Sequence, residues 1–349
     1  QVSAPLPLFQ LFGIPSMFYC HFPDKLLCVE RGNVFKKIYR LLIDNFEESS
    51  TGCANEIVVN SRFTAGVFEN NFHQLGKLIK PQVLYPTIEL PDVTPPAIAQ
   101  RNISYIDGYD FVYASLNRYE RKKNINLAIR AFHLLIQEVQ SNGKTRKKSD
   151  QKPRILLVIA GGYDDRVSEN VQHFEELQNL AKECGKEVVD NVVFRRSISD
   201  AERNALLTCA TAILYTPSNE HFGIVPLEAM SWLTPVVAVR SGGPLETVVN
   251  DETGFLCEES PRSFMMAMKK FIDIDKLSSN MGLKGRKRTK ETFTFDAMVP
   301  QLEECLQSAV HKSTSNQGRE QRFLSQLIYI SGVIFVVAVA VVWKVFAIR

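Results

Sequence analysis

The sequence predicts an α/β protein of two parallel-sheet domains with a transmembrane helix at its C-terminal end. Three observations carry this. The 349 residues are 45% hydrophobic, with 41 Lys plus Arg against 38 Asp plus Glu, a folded composition long enough for two ordinary cores. From Asp107 onward, short aliphatic runs alternate with amphipathic stretches, the pattern of parallel strands covered by helices on both faces. Phe323 to Trp343 are 21 consecutive uncharged residues, about 30 Å of helix and so about one bilayer core. The same composition excludes a disordered chain, a collagen and a disulfide miniprotein.

Taken in order, Ile14 to Cys20 reads as a buried strand that ends at His21-Phe22-Pro23-Asp24. Phe35, Ile38, Tyr39, Leu42, Ile43 and Phe46 recur at threes and fours, which predicts a helix from Val34 to Glu48. Glu56 to Asn60 is a short strand, and Ser61 caps the helix that runs through Phe63, Val67 and Phe68. Pro91, Pro95 and Pro96 mark a linker. Strands are then expected from Phe111 to Leu116, Ile155 to Ala160, Val192 to Phe194, Ala212 to Tyr215 and Val236 to Val239. Helices are expected between them, from Asn124 to Val139, Val167 to Cys184, Asp200 to Thr208 and Ile224 to Ser231. Helical patterns from Pro261 to Asp273, Lys276 to Glu291 and Phe295 to Lys312 close the soluble part. The expected organisation is a first domain over 1–95, a second over 96–311, a spacer over 312–322 and the anchor over 323–346.

The net charge of +3 is unevenly spread. Lys144, Arg146, Lys147, Lys148, Lys152 and Arg154 face only Asp150, so one loop carries +5 and the remainder is slightly acidic. No global basic field exists, which argues against a nucleic-acid partner. A solvated loop is the plainer reading of this segment; contact with anionic lipid headgroups is the other. The seven cysteines are odd in number, widely spaced and without a C-x-x-C, which favours a reducing compartment over a disulfide framework or zinc site. The opening Leu6 to Phe12 is apolar but lacks a basic flank, and does not read as a signal peptide.

Ligands of parallel α/β domains bind at the carboxyl ends of strands. After Leu116 comes Asn117-Arg118-Tyr119-Glu120-Arg121-Lys122-Lys123-Asn124, with four cations in six residues just before a helix, a plausible phosphate site or a merely solvated loop. Gly161-Gly162 follows the next strand and permits close backbone approach. The most specific segment is Ser218-Asn219-Glu220-His221-Phe222-Gly223-Ile224-Val225-Pro226-Leu227-Glu228-Ala229-Met230, where amides near Phe222 to Val225 would face an anion at a helix start. Gly242-Gly243-Pro244-Leu245-Glu246 and Thr253-Gly254-Phe255-Leu256 complete the order. No metal is implied: Asp164-Asp165 has the wrong spacing for a D-x-D motif.

These segments resemble those of the retaining nucleotide-sugar glycosyltransferases of the GT-B fold, with two Rossmann-like domains, over about Phe18 to Ala309. Within that group the match is to the dolichol-pathway α-1,3/1,6-mannosyltransferases of asparagine-linked glycosylation. The resemblance implies GDP-mannose as donor and a mannosylated chitobiosyl-diphosphodolichol, a lipid-linked oligosaccharide, as acceptor. It also implies attachment to membrane lipid at the cytosolic face of the endoplasmic reticulum, beside other dolichol-pathway mannosyltransferases, with no cofactor. By motif match, Arg118 and Lys123 would hold the donor diphosphate and stabilise departing GDP. Glu220 would contact the mannose, Glu228 the ribose, and Gly161, Gly162, Phe222, Gly223 and Ile224 the donor. His21 would stand near the donor sugar and the acceptor, against the plainer reading of a structural histidine. Retention in this family is described as front-face attack, without a second carboxylate of hydrolase type.

One departure qualifies the match. The family carries a Gly-rich loop after its first strand, and the roughly 95 residues before the linker hold none. The expectation is an N-terminally truncated enzyme with an incomplete first domain, whose own turnover stays open. Two alternatives stay open: a catalytically silent subunit that binds GDP-mannose or pathway enzymes, and a later α-1,2-mannosyltransferase of the same pathway. Cations flank the anchor on both sides (Lys312, Arg319 and Arg322 before, Lys344 and Arg349 after), so charge alone sets its orientation weakly.

Overall fold

The computed structural model describes residues 2–27, 34–93, 103–141, 152–315 and 330. They form two compact units, Gln1–Pro86 with Met298–Arg349, and Thr87–Ala297. Apart from Ile330, the expected anchor over 323–346 lies outside the described residues, as does the basic segment over 144–150. Among the described residues, no helix is long and apolar enough to cross a membrane. The described cysteines, Cys20, Cys53, Cys184, Cys209, Cys257 and Cys305, are free thiols.

In the first unit, helix α1 (Leu6–Leu11) precedes β1 (Met17–Cys20). Helices α2 (Asp24–Leu27) and α3 (Val34–Thr51) lead to β2 (Glu56–Val59), and α4 (Arg62–Asn71) and α5 (Leu75–Leu78) to β3 (Gln82–Val83). The strands form one parallel sheet in the order β1-β2-β3. Central β2 is buried along its length. The Ser61 cap is present, its Oγ accepting from the Thr64 amide at 2.9 Å. Phe68 and Phe72, rings 4.7 Å apart and edge to face, fill the core with Cys20, Ile57 and Val59.

Two local readings change here. The first strand starts at Met17 rather than Ile14, because the Ile14 amide closes α1 on the Phe9 carbonyl at 2.8 Å and Pro15 has no N–H to give. The apolar segment from Leu6 is itself a helix, with proline in its first turn, where a missing N–H costs nothing.

In the second unit, β4 (Phe111–Leu116) is followed by a 3-10 turn (Arg121–Lys123), α6 (Ile125–Ser141) and β5 (Ile155–Gly161). Then come α7 (Ser168–Glu183), α8 (Lys186–Val189), β6 (Val192–Arg196), α9 (Asp200–Cys209) and β7 (Ala212–Tyr215). The unit continues with α10 (Ile224–Ser231), β8 (Val236–Val239), α11 (Pro244–Thr247), β9 (Gly254–Cys257), α12 (Pro261–Asp273) and α13 (Leu277–Thr292). The six strands are parallel in the order β6-β5-β4-β7-β8-β9. The chain thus winds outward from β4 to β6, then returns beside β4 and winds the other way. This reversal opens a crevice between the ends of β4 and β7.

β4, β7 and β8 are buried at every residue, which matches apolar runs interrupted only by Ser115 of β4. Phe132, Leu135, Phe264 and Phe271 belong to the main core between the sheet and α6 and α12. Glycine sets two close approaches. A Cβ on Gly254 would stand 2.1 Å from the Val236 carbonyl oxygen, which makes β9 possible, and one on Gly282 would stand 1.8 Å from that of Leu233. The Gly254 segment, read from sequence as a motif only, is therefore a sixth strand.

The chain after Met298 groups with the first unit, so the expected boundary at 311 does not match the described division. The reason lies in packing on helix α14 (Phe295–Thr314): Met298, Leu302 and Cys305 pack with Val58, Leu84, Met17 and Tyr19. Glu56, 5% exposed, accepts from Ser308 Oγ at 2.7 Å and from Lys312 Nζ at 2.6 Å.

Two glycine substitutions should move stability in opposite directions. Gly66, inside α4, has nothing within 4 Å of an added Cβ, so Gly66→Ala should stabilise by about 0.5–1 kcal/mol. Gly282→Ala should destabilise by about 1–3 kcal/mol through overpacking on backbone. Calorimetric unfolding of both variants checks this, and a gain from Gly282→Ala would contradict the close approach.

Candidate active site

The crevice between β4 and β7 holds a pocket of about 460 Å³. Its lining includes Asn117, Arg118, Lys123, Gly161, Gly162, Glu220, Gly223 and Ile224. These belong to the end of β5, the loops after β4, β5 and β7, and the start of α10. The local sequence explains each placement.

After β4 the chain must turn sharply, and β5 crowds it. The Asn117 amide donates to the Ala160 carbonyl at 3.0 Å, and the Tyr119 amide to that of Gly162 at 3.1 Å. A Cβ on Gly161 would lie 1.9 Å from the Asn117 carbonyl oxygen, so no side chain fits there. Tyr119 is fully buried, with its hydroxyl 3.0 Å from the Ile159 carbonyl and 2.9 Å from that of Arg195. Burial pushes its phenol well above the ordinary value, so it remains a neutral donor. The 3-10 turn then presents Lys123, and left-handed Asn124 ends it (φ 49°).

Lys123 Nζ meets Glu220 Oε1 at 2.5 Å, with the two side chains 13% and 25% exposed. The Thr216 hydroxyl donates to the Lys123 carbonyl at 2.7 Å, fastening the end of β7 to the same turn. Arg118 is different. Its side chain is 63% exposed and pairs with Glu120 at 2.9 Å, a surface contact worth about 0–1 kcal/mol. It is therefore free to exchange that partner for an anionic ligand at little cost.

The Glu220 loop rests on glycines. Gly243 donates its amide to the Glu220 carbonyl at 2.8 Å, and a Cβ on Gly243 would lie 2.0 Å from the Phe222 carbonyl oxygen. The Gly242-Gly243 motif thus supports the loop from beneath and is absent from the pocket lining. Gly223 starts α10 in the left-handed region (φ 75°) and packs on Tyr215. Gly223, Ile224 and Val225, at the open start of this helix where amides have no intrahelical acceptor, line the pocket.

The remaining expected residues fall elsewhere. Phe222 is buried, with its ring 5.9 Å from that of Phe293. Glu228, on α10, is absent from the pocket lining and pairs with Arg203. His21 belongs to the first unit, where its ring stacks edge-on to Tyr19 at 4.7 Å and burial lowers its pKa. Asp164 is engaged by Arg166 at 2.8 Å.

Sequence reading missed Ser197, Ile198, Arg203 and Tyr215, which also line the pocket. Ser197 and Ile198 follow β6, so the strand-end rule applied to β6 would have found them. Tyr215 ends β7. Burial, with the Glu220 and Glu228 carboxylates adding, holds its phenol far above the ordinary value and therefore neutral. Arg203, inside α9, carries no local signal.

The loop support is testable. Gly243→Ala should cost about 1–3 kcal/mol by clash with backbone. Gly162→Ala should cost much less, because its Cβ would meet only the Arg118 side chain at 3.2 Å. Thermal unfolding compares the two, and equal losses would show that the loop does not depend on Gly243.

The sequence profile of the family described as Glycosyl transferases group 1 matches residues 98–288. Alpha-1,3/1,6-mannosyltransferase ALG2 of Homo sapiens is 46% identical over 304 residues, which cover 86% of this chain and 70% of the human protein. The protein of that name in Saccharomyces cerevisiae is 37% identical over 345 residues, covering 89% of this chain and 65% of its own length. Among solved structures, sucrose-phosphate synthase from Thermosynechococcus elongatus aligns with a TM-score of 0.64 at 20% identity, over 82% of this chain and 66% of that one. Anabaena Alr3699/HepE in complex with UDP gives 0.65 at 17% identity, over 88% and 77%. At those identities the structures speak for the fold alone, which is GT-B. From the profile and the relatives together, the chain belongs to the group 1 glycosyltransferases and, within them, to the α-1,3/1,6-mannosyltransferase family.

Proposed function

We propose that this chain transfers mannose from GDP-mannose to a dolichol-diphosphate-linked oligosaccharide, forming α-1,3 and α-1,6 linkages in the assembly of the asparagine-linked glycan precursor. The observation that carries the reading is the Lys123–Glu220 contact beside a helix start, at the reversal of strand order. The names of the relatives supply the sugar and the linkages.

In this reading the donor diphosphate lies against Arg118, Lys123 and the first amides of α10. As the bond from the mannose carbon to the diphosphate breaks, negative charge grows on GDP. Cations and helix-end amides already gathered at the pocket stabilise that charge once the donor is bound. Lys123 exchanges its contact with Glu220 for the phosphate, and Glu220 turns to the mannose hydroxyls near the reacting carbon. Attack on the same face of the sugar retains configuration without a second carboxylate. Glu228 serves the ribose, and His21 serves the acceptor side.

The uncharged run from Phe323 to Trp343 supports a membrane anchor over 323–346; the family reading supplies the cytosolic face of the endoplasmic reticulum. Such an anchor would hold a water-soluble donor site beside a lipid-borne acceptor.

Transfer of radiolabelled mannose from GDP-mannose to a defined lipid-linked acceptor tests the function, with GDP-mannose binding measured separately. Binding without transfer would make the chain a silent subunit. Glu220→Ala should cut turnover by about 100-fold or more while changing GDP affinity less than about threefold, because the contact is to the reacting sugar. Equal losses in both would remove that role from Glu220. Deletion of 323–346 should release the protein from alkaline-washed membranes, and retention would place the anchor elsewhere.

A further inference from the structure

Glu228 does not itself line the pocket, but its ion-pair partner Arg203 does. Arg203 projects from α9, whose start is fixed by the Ser199 cap on the Glu202 amide at 3.2 Å. The neighbouring Glu202 is held in turn by Arg195 at 2.8 Å and by the Tyr105 hydroxyl at 2.8 Å. The helix that carries Arg203 is therefore tied at its first turn, and the guanidinium is delivered to one place. There its Nη2 pairs with Glu228 Oε2. The two side chains are 30% and 25% exposed, so the pair is partly withdrawn from solvent screening. Arg203 lines the pocket and Glu228 does not.

Charge makes the arrangement necessary. A pocket that receives a diphosphate cannot tolerate bare carboxylates at its wall, because like charges in a partly desolvated site repel strongly. Glu220 is neutralised by Lys123, and Glu228 by Arg203. Yet a carboxylate is the acceptor that sugar hydroxyls need. One guanidinium with five N–H groups can hold one carboxylate oxygen and leave the other to a ligand.

We propose that Arg203 is a positioning residue of the donor site: it holds Glu228 neutralised and oriented so that its second oxygen accepts from the nucleoside ribose. This rests on the nucleotide-donor reading above. Loss of Arg203 should act on ribose recognition, through Glu228, rather than on the diphosphate.

The test uses the full chain and calorimetric titration with GDP and with 2′,3′-dideoxy-GDP, which lacks the ribose hydroxyls. The parent protein should prefer GDP by about tenfold or more, the range for hydrogen bonds to a charged group. Arg203→Ala should collapse that preference. Glu228→Gln should do the same, and the double variant should lose no more than either single one. Arg203→Lys should restore part of the preference, since it keeps the charge but not the fork. Thermal unfolding of each variant separates this from general damage, which would weaken both ligands alike. If Arg203→Ala keeps the preference for GDP, or if the two losses add, the proposal is overturned while the donor reading stands. If the parent protein binds neither nucleotide, the donor reading itself fails, and this inference with it.

Discussion

Lys123 and Glu220 meet at 2.5 Å across the crevice where the strand order reverses, and most of the second unit serves to bring them there. Each residue sits on a loop that the sheet holds from below. The loop after β4 is laced to β5 through the Asn117 and Tyr119 amides and to β7 through the Thr216 hydroxyl. The loop after β7 is seated on Gly242 and Gly243. A cation and a carboxylate thus face one pocket, 13% and 25% exposed, with the open end of α10 beside them. The contact gives each charge a partner in the empty site and leaves the pair open to exchange with an anion.

The same logic repeats one helical stretch further on. Arg203 and Glu228 form a second cation–carboxylate pair at the pocket edge. Arg118 contributes a third cation whose surface pairing with Glu120 is weak. The site is a set of charges each provisionally satisfied within the protein. A negatively charged ligand can replace the acids at the cations without stranding any group, provided the freed acids find hydroxyls.

Much of this is legible in the sequence. β7 and β8 are unbroken apolar runs, and β4 is one but for Ser115, because both their faces are buried, and the bounds of all three are visible in the sequence. Arg118, Lys123, Gly161, Gly162, Glu220, Gly223 and Ile224 were chosen as strand-end residues, and one pocket collects them. What escaped has physical causes. β9 begins at a glycine that earns its place only against the Val236 carbonyl, a contact with no local signature. Helix α14 was assigned to the second domain by proximity in sequence, while its apolar face and Lys312 answer to β1, β2 and the buried Glu56 of the first unit.

The sequence by itself determined the elements, their parallel class and the chemical types at the strand ends. These follow from periodicity, turn residues and charge, which are properties of neighbours along the chain. The tertiary structure decided the pairings. Lys123 and Glu220 are 97 residues apart, and Arg203 and Glu228 are 25 residues apart on different helices. No local pattern links such residues, because a sheet's strand order is set by how whole faces are buried. That is why Glu228 was visible as a motif residue, whereas the arginine that neutralises it emerged only from the fold.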